Sequence, residues 1–149
     1  MEKKLLYMSF IWSFVGLASG VYYRELTKFS GFDFEARQQL GTTHTHFLVL
    51  GFVVQLLALV AARSLGAEKT RSGTIFFWFW NVGVFITGIM MAVKGSLVIL
   101  GGSDQHPAFA GLAGLGHIAL AVGFISLFLW LKGAINNKQA GNISTLASV

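Results

Sequence analysis

Three of the four histidines in this chain lie inside or at the edge of long apolar segments. His44 and His46 open the run HTHFLVLGF, and His117 lies within GLAGLGHIALAVGF. An imidazole in lipid is costly unless it binds a partner, so histidines in such segments indicate a functional site. Imidazole is also a common ligand of iron and copper. These residues therefore predict a metal or cofactor site formed by His44, His46 and His117.

The rest of the composition narrows the choice of metal. The sequence has no cysteine, which excludes thiolate sites, disulfides and haem attached through a Cys-x-x-Cys-His motif. The apolar segments contain no acidic residue, which leaves little to bind calcium, magnesium or a di-iron centre. A bare copper ion would need three or four converging donors, whereas haem is a large apolar disc that fits between helices. Haem b is therefore the expected cofactor, and copper is the alternative.

The composition also indicates whether lipid or water surrounds these residues. Of 149 residues, 54% are hydrophobic and 11% are charged, whereas a soluble domain carries about 25% charged residues. A helix that spans a membrane needs about 20 apolar residues. Because lipid offers no hydrogen-bond partners to the backbone, a continuous apolar segment in lipid must form a helix. We predict one all-α membrane domain over residues 1–149, with four transmembrane helices at about 5–23, 44–62, 74–98 and 108–131 and a polar tail at 132–149.

The basic residues predict the orientation, because cytoplasmic loops are enriched in lysine and arginine. We expect both termini in the cytoplasm and the histidines in the outer leaflet. The first segment is expected to be a retained helix rather than a cleaved signal peptide, because its apolar run continues to Tyr23. The net charge of +5 then follows from topology and predicts no nucleic-acid partner. The residues on the expected inner side are Lys3, Lys4, Arg63, Lys69, Arg71, Lys132 and Lys138.

His44 and His46 point about 200° apart on a regular helix, so they are expected to have different roles. His44 shares its face with Gly51 and Gln55, which form a small and polar line. His46 shares its face with apolar residues such as Leu50. The sequence leaves open which of the two histidines is the second ligand.

His117 lies about 10 to 14 Å below the outer end of its predicted helix. Small neighbours, including Gly114 and Ala121, leave a flat face that suits either a porphyrin plane or a closely packed helix. Gly111, Gly114 and Gly116 are expected mainly to pack helices. Gly51 and Gly114 are candidate contacts of the cofactor.

Charged residues near the outer side are candidate partners for haem propionates. Lys94 lies about one turn from the outer end of the third predicted helix, where it either snorkels to the surface or faces the bundle. Arg24, Lys28 and Arg37 belong to a predicted outer loop between residues 24 and 41 and suit carboxylate partners. His106 is expected to be an ordinary exposed loop residue.

Other residues are expected to anchor and pack the helices. Trp78, Trp80 and Trp130 are predicted to lie near the inner headgroups as interface anchors. Four helices leave much surface, so we expect a symmetric homo-oligomer, a trimer rather than a dimer, in contact with membrane lipid. Small residues on the first helix predict close approach of another helix: Ser9, Ser13, Gly16 and Gly20.

The run from His44 to Phe52 and the later Gly-Leu-Gly-His117 element resemble a family of small four-span bacterial membrane proteins of unknown function, DUF2871. They are also distantly similar to histidine-bearing helices of haem-copper-oxidase-type proteins. The resemblance implies a haem-associated protein of the bacterial plasma membrane in which His44, His46 and His117 are the positions that matter. It supplies no reaction.

These observations predict a haem b protein with histidine axial ligands that acts in electron transfer, gas or redox sensing, or haem handling. The alternative is a small transporter or channel whose histidines and Lys94 handle protons, anions or copper. A purely structural subunit is a third class. No Ser-His-Asp set, HExxH motif or phosphate-binding loop is present, so an enzyme has no support in the sequence.

Overall fold

Four long apolar helices form the protein. The computed structural model describes residues 1–32 and 39–146. Each of the four helices has the length and composition to cross a membrane, so the predicted all-α, multi-pass fold is confirmed. The second span (Leu40–Leu65) consists of two α-helices joined by a wide π-helical turn, called the π turn below. The elements are α1 (Glu2–Ser30), α2 (Leu40–His46), the π turn (Phe47–Val53), α3 (Val54–Leu65), α4 (Arg71–Ile99) and α5 (Pro107–Leu146).

The first helix is longer than the sequence predicted. It continues to Ser30 and ends where Gly31 adopts a left-handed conformation (φ 66°) and donates its backbone N–H to the carbonyl of Thr27. Glycine adopts this conformation without steric cost, which makes it a common helix terminator. Arg24 and Lys28 therefore lie on α1, and their predicted position in a loop is wrong.

The tail predicted from residue 132 is also helical. α5 continues from the membrane-spanning part to Leu146. Ala134 is buried, and the Nζ of Lys138 donates a hydrogen bond of 3.1 Å to the carbonyl of Ser64. These contacts with the end of α3 extend the packing of α5 beyond its apolar part.

The two ends of the bundle differ in composition. At one end, the indole of Trp130 donates to the carbonyl of Glu68, and Lys4 lies over the ring of Phe77 at 5.8 Å. This is the basic end, where α1 begins and where the α3–α4 connection lies. The opposite end, here called the histidine end, holds α2 and the connection from α4 to α5. The N-terminus and the α5 C-terminal segment therefore share one end.

Glycines allow close packing between the helices. A methyl group added at Gly16 would lie 2.7 Å from Leu48, so α1 and the second span approach through this position. Gly20 faces His44 and Gly51 faces Trp12 in the same contact. The predicted close approach of another helix to the small residues of α1 is confirmed. The remaining glycine contacts join α4 to its neighbours: Gly88 to Phe47, Gly95 to Leu40, Gly83 to Leu120, Gly116 to Thr87, and Gly123 to Trp80.

Two of the three tryptophans predicted as interface anchors are part of the core instead. Trp80 is 0% exposed and Trp130 is 2% exposed, whereas Trp78 is 57% exposed. The indole N–H groups of the two buried residues donate to the carbonyls of Leu50 and Glu68. A buried indole needs such an acceptor. The aromatic run in the sequence does not by itself show which tryptophan has an acceptor for its N–H.

Candidate functional site

At the histidine end, the second span and α5 both pack on α4. In the part of the chain that the structure describes, α5 approaches the second span closely only through α3, towards the basic end. α2 and the π turn instead contact α1 and α4. The space between the second span and α5 at the histidine end is called the cleft below.

His46 and His117 lie at nearly the same depth on the two sides of this cleft. Along the second span, Leu40 lies opposite Gly95 and Phe47 opposite Gly88, which places His46 level with residue 89 of α4. Along α5, Leu120 lies opposite Gly83 and Gly116 lies opposite Thr87, which places His117 level with residue 86 of α4. Three residues of an α-helix rise about 4.5 Å. The two histidines therefore lie within about one helical turn of the same depth.

The residues below these histidines connect the two sides of the cleft. Phe124 lies two turns from His117 on the same face of α5, and its ring packs edge-on against Trp80 with centroids 4.6 Å apart. The indole of Trp80 also donates a hydrogen bond of 2.8 Å to the carbonyl of Leu50, one turn beyond His46. Trp80 thus bridges the two elements and forms the floor of the cleft.

His117 has a defined tautomer. Its Nδ1 lies 2.8 Å from the carbonyl oxygen of Ala113, one turn earlier on α5. A carbonyl oxygen can only accept, so Nδ1 carries the proton and the lone pair of the neutral ring is on Nε2. Metal-bound histidines are usually oriented in this way, with the second ring nitrogen donating to a carbonyl or carboxylate. The side chain is exposed on the surface of the single chain, so Nε2 is accessible.

His44 and His46 have different environments, as the sequence predicted. His46 is half-buried and is on the cleft side of the second span. His44 faces α1, where a methyl group on Gly20 would lie 3.6 Å from its Cβ. Its Nδ1 is buried and has no hydrogen-bond partner among the described residues, and its Nε2 lies 3.4 Å from the hydroxyl of Thr45.

Lys94 lies near the histidine end of α4 and is paired. Its Nζ lies 3.9 Å from an Asp104 carboxylate oxygen, and the two side chains are 18% and 24% exposed. Asp104 belongs to the α4–α5 connection, where it also accepts a hydrogen bond from the Gln105 side-chain amide. Lys94 therefore reaches towards the α4–α5 connection and is neutralised there by a carboxylate.

Arg24 and Gly51, which were also predicted to contact the cofactor, lie away from the cleft. Arg24 is exposed on α1 and is 3.7 Å from Glu25. α1 packs on the side of the second span opposite to the cleft. Gly51 packs against Trp12 of α1, where an added methyl group would lie 2.6 Å from the tryptophan. Arg37 lies outside the described residues.

The glycines around His117 divide into two groups. Gly116 packs against Thr87, as expected for a helix-packing residue. Gly111 and Gly114 have nothing within 4 Å of an added methyl group. The prediction that they pack against other helices of the same chain is therefore wrong. Gly114 remains open beside His117. His106 is exposed, as predicted, and its Nδ1 accepts the backbone N–H of Ala108 at the start of α5.

Two features near the site were not predicted. One is the π turn that directly follows His46; hydropathy does not distinguish a wide turn from a regular one. The other is the pairing of Gln55 with Asn81, which also accepts from Trp12. Both amides were noticeable in the sequence as rare buried polar residues, but their mutual contact depends on the packing of three helices.

Most of the chain matches a known family of proteins. A family model described as "Protein of unknown function (DUF2871)" matches residues 2–134. The chain belongs to the DUF2871 family. The match covers α1 to α4 and α5 as far as Ala134, includes the three histidines, and confirms the resemblance found in the sequence. Comparisons with curated proteins and with solved structures find no match.

Proposed function

We propose that this DUF2871 member binds haem b in the cleft between the second span and α5, with His46 and His117 as the axial ligands. The hydrogen bond from His117 Nδ1 to the Ala113 carbonyl carries this proposal, because it leaves Nε2 free and oriented for a metal. His46 is the second ligand in this proposal, because it lies at a depth similar to that of His117 on the other side of the cleft.

The donors and the residues that border the cleft suit haem better than a bare metal ion. Porphyrin already binds iron through four nitrogens, so two imidazoles complete the coordination. A copper ion would need three or four donors from the protein. Aromatic and small residues border the space, with Trp80 below and the open Gly114 beside His117.

Two histidine ligands favour one-electron transfer, because no coordination position remains open for a gas or a substrate. Haem supplies the redox couple when it is bound. The chain supplies two imidazoles, a buried aromatic floor and an ion pair at the outer end. We place this activity in the bacterial plasma membrane, with the histidines in the outer leaflet. We also expect a symmetric homo-oligomer, which native mass spectrometry in detergent can count.

The alternative of a transporter or channel gains less support from the described residues. A proton or ion pathway needs polar groups that are available to it. Gln55 and Asn81 bond to each other, and Lys94 pairs with Asp104. These groups are therefore already partnered.

Visible spectroscopy tests the proposal directly. We expect the purified protein, after haem is added, to show a Soret band and sharp α and β bands on reduction with dithionite. His46→Ala and His117→Ala should abolish the six-coordinate spectrum. His44→Ala and His106→Ala are matched controls and should retain it. A protein that stays colourless with added haem would disprove haem binding, and loss in His44→Ala with retention in His46→Ala would reassign the ligand.

A further inference from the structure

The second span contains one turn that is wider than an α-helix. Over Phe47–Val53 the backbone is π-helical, and at its end the N–H of Val54 donates to the carbonyl of Val49, five residues earlier. Such turns are rare and occur mostly as single insertions within α-helices, frequently at functional sites. This turn begins at the residue after His46.

Two buried side chains hold the carbonyl groups of the π turn. The indole of Trp80 donates to the carbonyl of Leu50 at 2.8 Å, and Nε2 of Gln55 donates to the carbonyl of Gly51 at 2.9 Å. Both side chains are fully buried. Gln55 is held in turn by Asn81 on α4. Lipid provides no donor to a backbone group that loses its helical partner, so side-chain donors stabilise the irregular turn.

The extra residue of the turn changes the direction in which the histidines point. One residue of an α-helix corresponds to a rotation of about 100°. The basic half of the second span is fixed to α4 by the Gln55–Asn81 pair. The turn therefore rotates α2 by about 100° relative to an unbroken helix. Counted from Gln55, the turn uses one residue more than an unbroken helix would need to reach the same height. In an unbroken helix of the same sequence, Thr45 would therefore occupy the place of His44 opposite Gly20.

We propose that the π turn sets the rotational register of His44 and His46, and that Gln55 and Trp80 are the positioning residues that hold it. The register places His44 against α1 and His46 towards the cleft. Its value for haem ligation rests on the function proposed above, but the register itself is a property of the polypeptide alone.

The absence of cysteine from the sequence makes a cross-linking test possible without background thiols. The Cβ position of Gly20 lies 3.6 Å from that of His44, which is within the range of a disulfide. We therefore expect Gly20→Cys/His44→Cys to cross-link rapidly in membranes treated with copper phenanthroline. Gly20→Cys/Thr45→Cys and Gly20→Cys/Thr43→Cys should not cross-link, because Thr45 is exposed and Thr43 is buried, each on another face of α2.

Deletion of Val49 is the decisive change, because it removes the extra residue at an exposed side chain. The deletion leaves an unbroken helix in which His44 keeps its place, so we expect the cross-link to stay at position 44. In a helix without an extra residue, the same deletion would bring Thr43 opposite Gly20, so a cross-link that moves from position 44 to position 43 would overturn the proposal. Trp80→Phe and Gln55→Leu test the two donors without changing the length, and each should lower cross-linking at position 44 and raise it at position 45. Trp78→Phe, at an exposed tryptophan of the same helix, should leave both unchanged.

The haem spectrum is recorded on Gln55→Leu, a variant whose cross-link is expected to move, as a second readout. Loss of the six-coordinate spectrum together with the moved cross-link supports both proposals. A moved cross-link with an unchanged spectrum would show that the turn sets the register but does not serve ligation. If the unmodified protein binds no haem, the cross-links still decide the register proposal.

Discussion

The indole Nε1 of Trp12 on α1 donates a hydrogen bond of 2.7 Å to the side-chain oxygen of Asn81 on α4. The same oxygen accepts from Gln55 of the second span at 3.0 Å, and Nδ2 of Asn81 donates to the carbonyl of Phe77. One amide thus connects three helices in the apolar interior. A second polar contact joins α1 to α4, where the hydroxyl oxygens of Tyr22 and Ser96 lie 3.0 Å apart.

Replacement of Asn81 by leucine should therefore destabilise the bundle. It removes the acceptor of the Trp12 N–H and the donor to the side-chain oxygen of Gln55. A side-chain hydrogen bond between membrane helices contributes about 0.6 kcal/mol on average, and an unsatisfied buried group costs about 1–3 kcal/mol. Thermal unfolding in detergent should show a clearly lower Tm. Ser13→Ala is the control, since the hydroxyl of Ser13 bonds only within its own helix, and equal Tm values for the two variants would contradict the prediction.

Gly95 should tolerate no larger residue. A methyl group there would lie 2.8 Å from the Cα of Leu40 and also meet its backbone nitrogen. Backbone atoms cannot rotate away as a side chain can, so α2 and α4 would have to separate. Gly95→Ala is expected to cost about 1–3 kcal/mol, the usual range for overpacking.

The matched control for this change is Gly133→Ala, because Gly133 has nothing within 4 Å of an added methyl group. Alanine favours a helix over glycine by about 0.8–1.0 kcal/mol, so this variant should be as stable as the parent or more stable. Both variants can be compared by thermal unfolding in one detergent. A Gly95 variant as stable as its control would show that the two helices can move apart at no cost.

The sequence was sufficient to predict the four spans and the small-residue contact of α1, because both depend on hydropathy and side-chain volume along one helix. Features that depend on which helices are neighbours could not be predicted from the sequence. Trp78 and Trp80 are only two residues apart in one aromatic run, yet one is exposed and the other is buried against Leu50. The choice between His44 and His46 likewise required the contact of His44 with Gly20.

Membrane orientation can be measured on the same cysteine-free background. The N-terminus and the end of α5 share the basic end, and the positive-inside rule predicts this end in the cytoplasm. A cysteine at Ser103, in the α4–α5 connection, should react with a membrane-impermeant maleimide added to intact cells. A cysteine at Gln139 should react only after the membrane is permeabilised. The reverse pattern would place the histidines on the cytoplasmic side.

The ion pair between Lys94 and Asp104 should tune the haem potential, if haem binds as proposed. Lys94 lies five to eight residues beyond the level of the two ligand histidines, which is about 7.5–12 Å along α4. A positive charge at this distance stabilises the reduced iron, and the paired carboxylate cancels most of that effect. Lys94→Gln leaves the carboxylate alone and should lower the reduction potential, whereas Asp104→Asn leaves the ammonium alone and should raise it.

Shifts on the order of tens of millivolts are expected in both directions, because a partly exposed pair is screened by solvent. Redox titration of the α band gives both values on samples prepared in parallel. Arg24→Gln is the control of equal charge change, since Arg24 is exposed on α1 beside Glu25 and away from the cleft. Opposite shifts in the two pair variants with none in the control would place the iron on the cleft side of the second span. A shift in Arg24→Gln as large as the shift in Lys94→Gln would show only an effect of net charge.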